Sequence, residues 1–334
     1  MKLATLKNDR PDGQLVVVSR DLTRFVSAGR IASTLQSALD NWEELLPRLS
    51  DLSAQLDNNE IAGLEFDPSQ AMAPLPRAYQ WIDCAAYLSH LERVRSLKGS
   101  RGEQFQSRKP FMYQGGSDSL IASTDAICVP AEDLAIDFEA ELAAILGPVP
   151  MGVLKDEAAR AIRLLTVCND VSLRSLVVED LNDGFGFFHS KPATSFAPIV
   201  ATPDEFGDAW RDNRLHVKVR ITLNDDLFGE VDAGADMHFD FADLIVAATQ
   251  TRQLGAGTII GAGTIANRHS ETAPVKKDEA GFACIAEART DERARLGKAR
   301  TPFLKNADRV RIQALDSKGQ AVFGEIDQNV QIVG

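Results

Sequence analysis

Two glutamates stand two residues apart in an apolar, alternating stretch of the chain, Ile136-Asp137-Phe138-Glu139-Ala140-Glu141-Leu142. Residues i and i+2 of a β-strand point to the same face, so Glu139 and Glu141 are predicted to project side by side, with Asp137 in line. Adjacent carboxylates repel, and a divalent ion with oxygen ligands is the simplest compensation if they are buried. A solvated strand edge or the start of a helix with surface glutamates explains the same pattern.

Asp83 and His90 form a second pair of polar residues, separated by seven positions in an otherwise apolar segment. If the intervening residues are helical, seven positions make about two turns and the two side chains share a face. Each residue also has an ordinary explanation. An aspartate before an apolar helix is a common N-cap, and a histidine on the polar face of a helix needs no further role.

Asp170 and Lys191 are further candidates for chemistry. Asp170 ends an apolar run and is followed by Arg174, whereas Lys191 is a lone cation within the aromatic and small residues of 186–196. Lysines are usually exposed, so this setting is unusual. A turn aspartate and a lysine whose stem lies along the surface are the alternatives.

The segment Gly261-Ala262-Gly263-Thr264-Ile265-Ala266 follows an apparent strand and fits the pattern G-x-G-x-x-A. A dinucleotide site would require a helix to begin there, but the following residues 267–274 are typical of a loop. The pattern therefore does not favour a dinucleotide site. Glycines that let the backbone approach a ligand remain compatible with it.

Composition narrows the class of protein. The chain has 334 residues and a net charge of −12, which argues against a nucleic-acid surface and against an anionic membrane partner. It contains no apolar run of the roughly 18 to 20 residues that a bilayer span needs, and its first ten residues lack a hydrophobic signal core. The four cysteines are scattered without a C-x-x-C pair, as expected for free thiols of a cytoplasmic protein: Cys84, Cys128, Cys168 and Cys284.

The elements that must position these residues indicate an α+β domain with a mainly antiparallel or mixed sheet. The proline-punctuated segment 72–77 predicts a boundary between a small N-terminal domain, residues 1–73, and a larger domain, residues 74–334. Helices are predicted at 33–56, 84–97, 157–165 and 241–253, with a charged, glycine-containing loop at 98–118. Strands are predicted at 2–6, 15–19, 135–146, within 214–232, at 258–265, and in a C-terminal hairpin of 310–315 and 320–326.

Taken together, the order and context of these motifs resemble the fumarylacetoacetate hydrolase family over about residues 75–330, with a weaker likeness before them. The matching pieces are Asp83 with His90, Glu139-Ala140-Glu141, Asn169-Asp170 with Arg174, Lys191, Gly263-Thr264-Ile265, and the segment from Phe282 to Glu287. The resemblance implies a fumarylacetoacetase-like mixed β-roll catalytic domain with a small N-terminal domain. It also implies a homodimer.

The same resemblance implies a site. A divalent metal, Mg²⁺ or Ca²⁺, would be held by Asp83, Glu139, Glu141 and Asp170. His90 and Glu287 would activate water, Arg174 and Lys191 would stabilise the oxyanion and the departing enolate, and Tyr113 and Thr264 would contact the substrate. The chain departs from the family in two places. Val177 stands where animal fumarylacetoacetases have glutamine, and the segment between Thr264 and Glu287 is longer, with extra charged residues at 276–279.

The expected activity is hydrolysis of a carbon–carbon bond in a β-diketone acid, foremost fumarylacetoacetate to fumarate and acetoacetate in tyrosine degradation. Acylpyruvate hydrolysis, 2-oxoacid decarboxylation and 2-oxopent-4-enoate hydration are alternatives that keep the same metal site. A metal-stabilised binding protein without turnover is an alternative from another class. Separation of His90 from Glu287 would favour the decarboxylase, because decarboxylation needs no activated water.

Overall fold

The computed structural model describes residues 1–96, 107–268 and 281–334 and has the predicted α+β architecture. The helices are α1 (Leu35–Asp40), α2 (Trp42–Asp57), α3 (Leu88–Ser96), α4 (Lys155–Arg160), α5 (Arg174–Asp183), α6 (Phe241–Ala248) and α7 (Ile285–Leu296). The first ten strands are β1 (Lys2–Leu6), β2 (Gln14–Val18), β3 (Arg24–Ser27), β4 (Leu64–Glu65), β5 (Trp81–Cys84), β6 (Met112–Gly115), β7 (Ile127–Val129), β8 (Ile136–Asp137), β9 (Ala140–Leu146) and β10 (Ile162–Asn169). The others are β11 (Ser172–Leu173), β12 (Ser195–Phe196), β13 (Val200–Ala201), β14 (Trp210–Arg211), β15 (Arg214–Leu215), β16 (Lys218–Leu223), β17 (Asp226–Asp232), β18 (Ile259–Gly261), β19 (Arg309–Leu315) and β20 (Ala321–Ile332).

Two mixed sheets dominate the described part of the chain. The larger has eleven strands, with the order β4-β3-β2-β1-β13-β10-β9-β18-β5-β6 and β12 paired to β10. The smaller has five strands, with the order β17-β16-β19-β20-β7. Most neighbours are antiparallel, and the pairs β18–β5 and β20–β7 are parallel. Short two-stranded ladders join β8 to β11 and β14 to β15.

The N-terminal strands extend the larger sheet, because Lys2 of β1 pairs with Ala201 of β13. The single helix predicted at 33–56 is wrong, since α1 and α2 are separate helices. Asn41 lies between them with φ −126°, outside the helical region, and ends one helix as the other begins.

The helices of the described residues fall short of the length and apolar character that a membrane span requires.

Two further element predictions require correction. The helix predicted at 157–165 ends at Arg160, and Ile162 begins β10, whose residues are almost all buried. This apolar run is buried between β9 and β13, so tertiary packing decides in favour of a strand. The acidic strand predicted at 135–146 is interrupted at Phe138 and Glu139, between β8 and β9. Residues 98–106 of the predicted loop, residue 97 at the end of the predicted helix 84–97 and the extra charges at 276–279 lie outside the described residues.

Strand direction brings the acidic residues to one edge of the larger sheet. Because β9 and β10 are antiparallel, the start of β9 lies beside the end of β10, where Glu141 pairs with Cys168. The end of β18 joins them, since Gly261 pairs with Ala143 of β9 and with Asp83 of β5. The strands β5, β9 and β10 thus deliver polar side chains to a single place.

Candidate active site

Three carboxylates meet at this edge of the sheet. Asp83 lies on β5, Glu141 on β9, and Asp170 directly after β10. One carboxylate oxygen from each lies within 4.8 Å of one from each of the others. All three residues are buried, Glu141 and Asp170 with no exposed surface. This arrangement is a candidate site for a cation with oxygen ligands.

Three oxygens of these carboxylates lack hydrogen-bond donors within the described part of the chain. Both oxygens of Glu141 and Oδ1 of Asp83 are buried without a donor among the described residues. Burial and the neighbouring charge of Asp170 raise the pKa of Asp83 to about 7. Burial and the charges of Asp83 and Asp170 likewise raise the pKa of Glu141 well above its ordinary value. A bound divalent ion would supply the positive partner that these buried oxygens lack. The three carboxylates are therefore a suitable set of ligands for such an ion.

Glu139 lies beside the three carboxylates but is bound by two cations. Its Oε1 accepts a hydrogen bond from Nη2 of Arg174 at 2.6 Å, and its Oε2 accepts one from Nζ of Lys191 at 2.5 Å. Burial alone would raise the pKa of Glu139, but the charges of Lys191 and Arg174 outweigh it and hold the pKa below its usual range. Glu139 therefore remains an anion.

Asp170 is fixed by three donors. Lys191 Nζ and the Tyr113 hydroxyl both lie 2.6 Å from Oδ2, and the Thr194 hydroxyl lies 2.5 Å from Oδ1. Tyr113, for which the family resemblance implies contact with substrate, thus orients one of the carboxylates. Its ring contacts Phe187 edge-to-face at 5.1 Å. The aspartate that ends β10 is held rigidly by groups from β6 and the loop after α5.

The charges in this region do not balance without a further cation. The region contains five buried carboxylates: Asp83, Glu139, Glu141, Asp170 and the fully buried Asp137. Among the described residues, the cations that pair with them are Arg174 and Lys191. A divalent ion would neutralise most of the excess negative charge. The sequence suggested that the negative charge of these carboxylates must be compensated by a cation, and the folded chain has the same requirement.

A second group of polar side chains forms around His90. Its Nδ1 lies 2.8 Å from Oε1 of Glu287, and Nη1 of Arg93 lies 3.1 Å from Oε2 of the same carboxylate. His90 and Arg93 come from α3 and Glu287 from α7. Burial alone would raise the pKa of Glu287, but the hydrogen bond from His90 and the charge of Arg93 outweigh it and lower the pKa. Glu287 is thus an ionised partner for the imidazole.

The two groups are neighbours. Cys284, whose sulfur lies within 4.8 Å of the ligand atoms of His90 and Glu287, forms a β-bridge with Glu139. The condition under which Asp83 and His90 would share a helix face is not met. Asp83 lies in β5, paired with Gly261, and α3 begins only at Leu88.

The glycine pattern after β18 has a steric explanation. A Cβ on Gly261 would lie 2.3 Å from the Trp81 ring and 2.7 Å from Oδ1 of Asp83, so only glycine lets the two strands approach. Gly263 has φ +80°, and a Cβ there would lie 2.2 Å from the Cys84 carbonyl oxygen. Thr264 follows as a buried residue. These glycines pack the sheet edge against the carboxylates.

Sequence reasoning missed the roles of Arg93, Thr194 and Asp137. Arg93 stands three residues after His90, a spacing that places both on one helix face once α3 is known. Thr194 lies in the small-residue loop that also contains Lys191, which was a usable signal. Asp137 was visible only as an acid in line with Glu139, and its partners come from distant segments.

Two family profiles match the sequence. The profile described as Fumarylacetoacetate (FAA) hydrolase C-terminal matches residues 80–331, and the profile described as Fumarylacetoacetase N-terminal domain 2 matches residues 1–77. The mitochondrial oxaloacetate tautomerase fahd2 of Xenopus laevis is 25% identical over 160 residues, which cover 47% of this chain and 48% of the relative. The alignment thus spans about half the length of that relative.

A 2,4-didehydro-3-deoxy-L-rhamnonate hydrolase of Sphingomonas sp. (strain SKA58) is 29% identical over 117 residues, which cover 34% of this chain and 40% of the relative. Among solved structures, maleylpyruvate hydrolase from Sphingobium sp. SYK-6, in complex with manganese(II) and pyruvate, has a TM-score of 0.62 and 19% identity over 99% of both chains. At this identity the likeness shows a shared fold.

Proposed function

The chain belongs to the fumarylacetoacetate hydrolase family, and we propose that it is a divalent-metal-dependent hydrolase that cleaves a carbon–carbon bond in a β-diketone acid. Fumarylacetoacetate, cleaved to fumarate and acetoacetate in tyrosine degradation, is the leading substrate, and acylpyruvates are the next. The observation that carries the proposal is the His90–Glu287 pair next to the carboxylate cluster. Hydrolysis needs an activated water, whereas decarboxylation does not.

Asp83, Glu141 and Asp170 would hold the metal, with Glu139 as a fourth ligand. Each oxygen of Glu139 already accepts one hydrogen bond, but a carboxylate oxygen has a second lone pair for a metal. Oxygen-only ligands suit Mg²⁺, Ca²⁺ or Mn²⁺. When bound, such an ion supplies Lewis-acid polarisation of the carbonyl under attack.

His90 serves as the general base. Glu287 accepts only, so Nδ1 of His90 carries the proton of their hydrogen bond, and Nε2 is left to take a proton from water. The water oxygen then forms a bond to the carbonyl carbon, and the carbon–carbon bond breaks. Its electron pair goes to the departing enolate, which takes up a proton and leaves as the ketone.

Lys191 and Arg174 supply positive charge for the oxyanion and the enolate. Burial alone would lower the pKa of Lys191, but the charges of Asp170 and Glu139 raise it above its usual range. Lys191 therefore stays protonated in a site where charge develops. Both cations are held in place before substrate arrives, because Glu139 and Asp170 bind them.

The proposal also includes the domain division, the oligomeric state and the cellular location of the protein. Division into a small N-terminal domain at 1–73 and a catalytic domain at 74–334 is supported by family profiles that meet near this point. We propose a homodimer, as the family likeness implies. The cytoplasm is proposed because all four cysteines are free, with Cys128 exposed.

A substrate panel tests the activity. The purified protein is incubated with fumarylacetoacetate, an acylpyruvate or oxaloacetate, with Mg²⁺, with Mn²⁺ or with a chelator. Loss of the diketone absorbance and NMR identification of the products follow the reaction. The proposal expects equimolar acid and ketone products only when metal is present. Carbon dioxide release, or keto–enol interconversion without cleavage, would replace hydrolysis by decarboxylation or tautomerisation.

A further inference from the structure

Asp137 connects the His90–Glu287 pair to the carboxylate cluster. It is fully buried, and its carboxylate accepts three hydrogen bonds from two different parts of the chain. Oδ1 accepts from the backbone amide of Ile285 at 2.7 Å, and Oδ2 accepts from the amide of Ala286 at 2.9 Å. Oδ2 also accepts from Nε of Arg174 at 2.9 Å.

The hydrogen bonds from the amides of Ile285 and Ala286 to Asp137 fix the start of α7. A helix begins with unsatisfied amide groups, and the residue before it normally supplies a side-chain acceptor. Here that residue is Cys284, which makes no side-chain hydrogen bond to the helix. Asp137 supplies the acceptor from another strand and places a negative charge at the helix N-terminus, where it is stabilising. Glu287 is the third residue of this helix, so its position depends on the anchor.

The hydrogen bond between Asp137 and Arg174 fixes the position of Arg174. The guanidinium binds Asp137 through Nε and Glu139 through Nη2, so one cation joins both carboxylates. The backbone of Asp137 is itself fixed by pairing with Ser172, two residues before Arg174. The Asp137 side chain thus contacts both the start of α7, which carries Glu287, and Arg174, which binds Glu139.

We propose that Asp137 is a positioning residue that holds the His90–Glu287 pair in register with the carboxylate cluster. This inference rests on the proposed function, because the register matters only if water activated at His90 attacks a carbonyl held at the cluster. Errors of about 1 Å between reacting groups cost up to about a hundredfold in rate. Asp137 itself touches neither substrate nor metal in this account.

Asp137→Asn tests the proposal, with Asp240→Asn as its matched control. Asp240 is also buried, caps α6 by accepting from the amide of Asp243, and pairs with the cation Lys155. We expect D137N to lower kcat by about tenfold to a hundredfold while KM and Mn²⁺ affinity change less than about twofold. D240N should destabilise the protein without lowering kcat. Equal kcat values for D137N and D240N would overturn the proposal.

A double-mutant cycle identifies the route of the effect. If Asp137 acts by positioning Glu287, its substitution in an E287Q background should lower kcat by less than about threefold further. A loss in the double variant that equals the product of both single losses would contradict the proposed coupling.

Two measurements do not need turnover. In the wild-type protein the amides of Ile285 and Ala286 should exchange hydrogen as slowly as those of the central strand β10, and rapid exchange would overturn the anchor even if D137N does not fold. The NMR signals of the His90 ring should shift in D137N but not in D240N, and unchanged signals would refute the inference. A wild-type protein that cleaves nothing in the substrate panel would instead refute the proposed function.

Discussion

Nδ1 of His90 lies 2.8 Å from Oε1 of Glu287, although 197 residues separate them in the sequence. The contact exists because α3 and α7 pack together and Arg93 binds the other oxygen of the same carboxylate. A histidine with one nitrogen fixed by an anion presents its other nitrogen as a base. This geometry places a candidate general base beside the carboxylates, which a site that only binds metal would not need.

Removing the base should stop the chemistry and leave the metal site intact. We expect His90→Ala and Glu287→Gln each to lower kcat by about a hundredfold or more, with Mn²⁺ affinity unchanged by calorimetry. His189→Ala is the control, since that side chain is 76% exposed and lies near Asp180. Turnover at the wild-type rate in H90A would remove His90 from the role of base.

Glu141→Gln should have opposite effects on metal binding and on metal-free stability. Both oxygens of Glu141 are buried without donors among the described residues, so the neutral amide removes an unpaired buried charge. We expect the metal-free variant to be more stable by about 1 kcal/mol, yet to bind Mn²⁺ at least about tenfold more weakly. Thermal unfolding in chelator and calorimetry measure the two effects. Glu65→Gln, on the exposed strand β4, should change neither.

Protons should compete with metal. The pKa of Asp83 is raised from 3.8 to about 7, so between these pH values the folded, metal-free protein holds a proton that the unfolded chain has released. Metal-free stability must therefore fall as pH rises through this window, and Glu141 acts in the same direction. Metal affinity should rise over the same window, by up to about tenfold per pH unit for each proton displaced. Calorimetry at about pH 6 and about pH 8 checks this, and equal affinities would contradict it.

Arg93 should matter for rate more than for substrate binding. Its guanidinium holds Glu287 and also bonds to the carbonyl of Asn267. We expect Arg93→Ala to lower kcat by about tenfold at nearly constant KM, with partial recovery in Arg93→Lys, which keeps the charge but loses the planar geometry. Steady-state kinetics on both variants measure this, with Arg252→Ala as an exposed control. A change confined to KM would place Arg93 in substrate binding instead.

The parts of the fold that could be predicted are those set by local pattern. The C-terminal hairpin around residues 317–319 and the strand at 2–6 lie where the sequence pattern predicted them. The helix predicted at 157–165 failed because apolar residues after Arg160 fit a buried strand as well as a helix, and only sheet packing decides. Asn41 likewise divides a continuous helical pattern.

The candidate site was visible as residue types but not as connections. The sequence suggested that Glu139 and Glu141 need a cation. It did not show that Arg174 and Lys191 bind Glu139, or that Glu141 has no donor among the described residues. The role of Asp137 was invisible for the same reason, because its donors at Ile285 and Ala286 lie 148 and 149 residues away. Contacts of this range depend on the whole fold.

Metal reconstitution tests directly whether a divalent ion at Asp83, Glu141 and Asp170 is required for carbon–carbon hydrolysis. Protein stripped by chelator is titrated with Mn²⁺ while cleavage of the best substrate from the panel is followed, for wild type and for E141Q. We predict no cleavage without metal, full recovery at one equivalent per chain in the wild type, and no recovery at that level in E141Q. Full cleavage in the presence of chelator, or equal recovery in both proteins, would contradict the account.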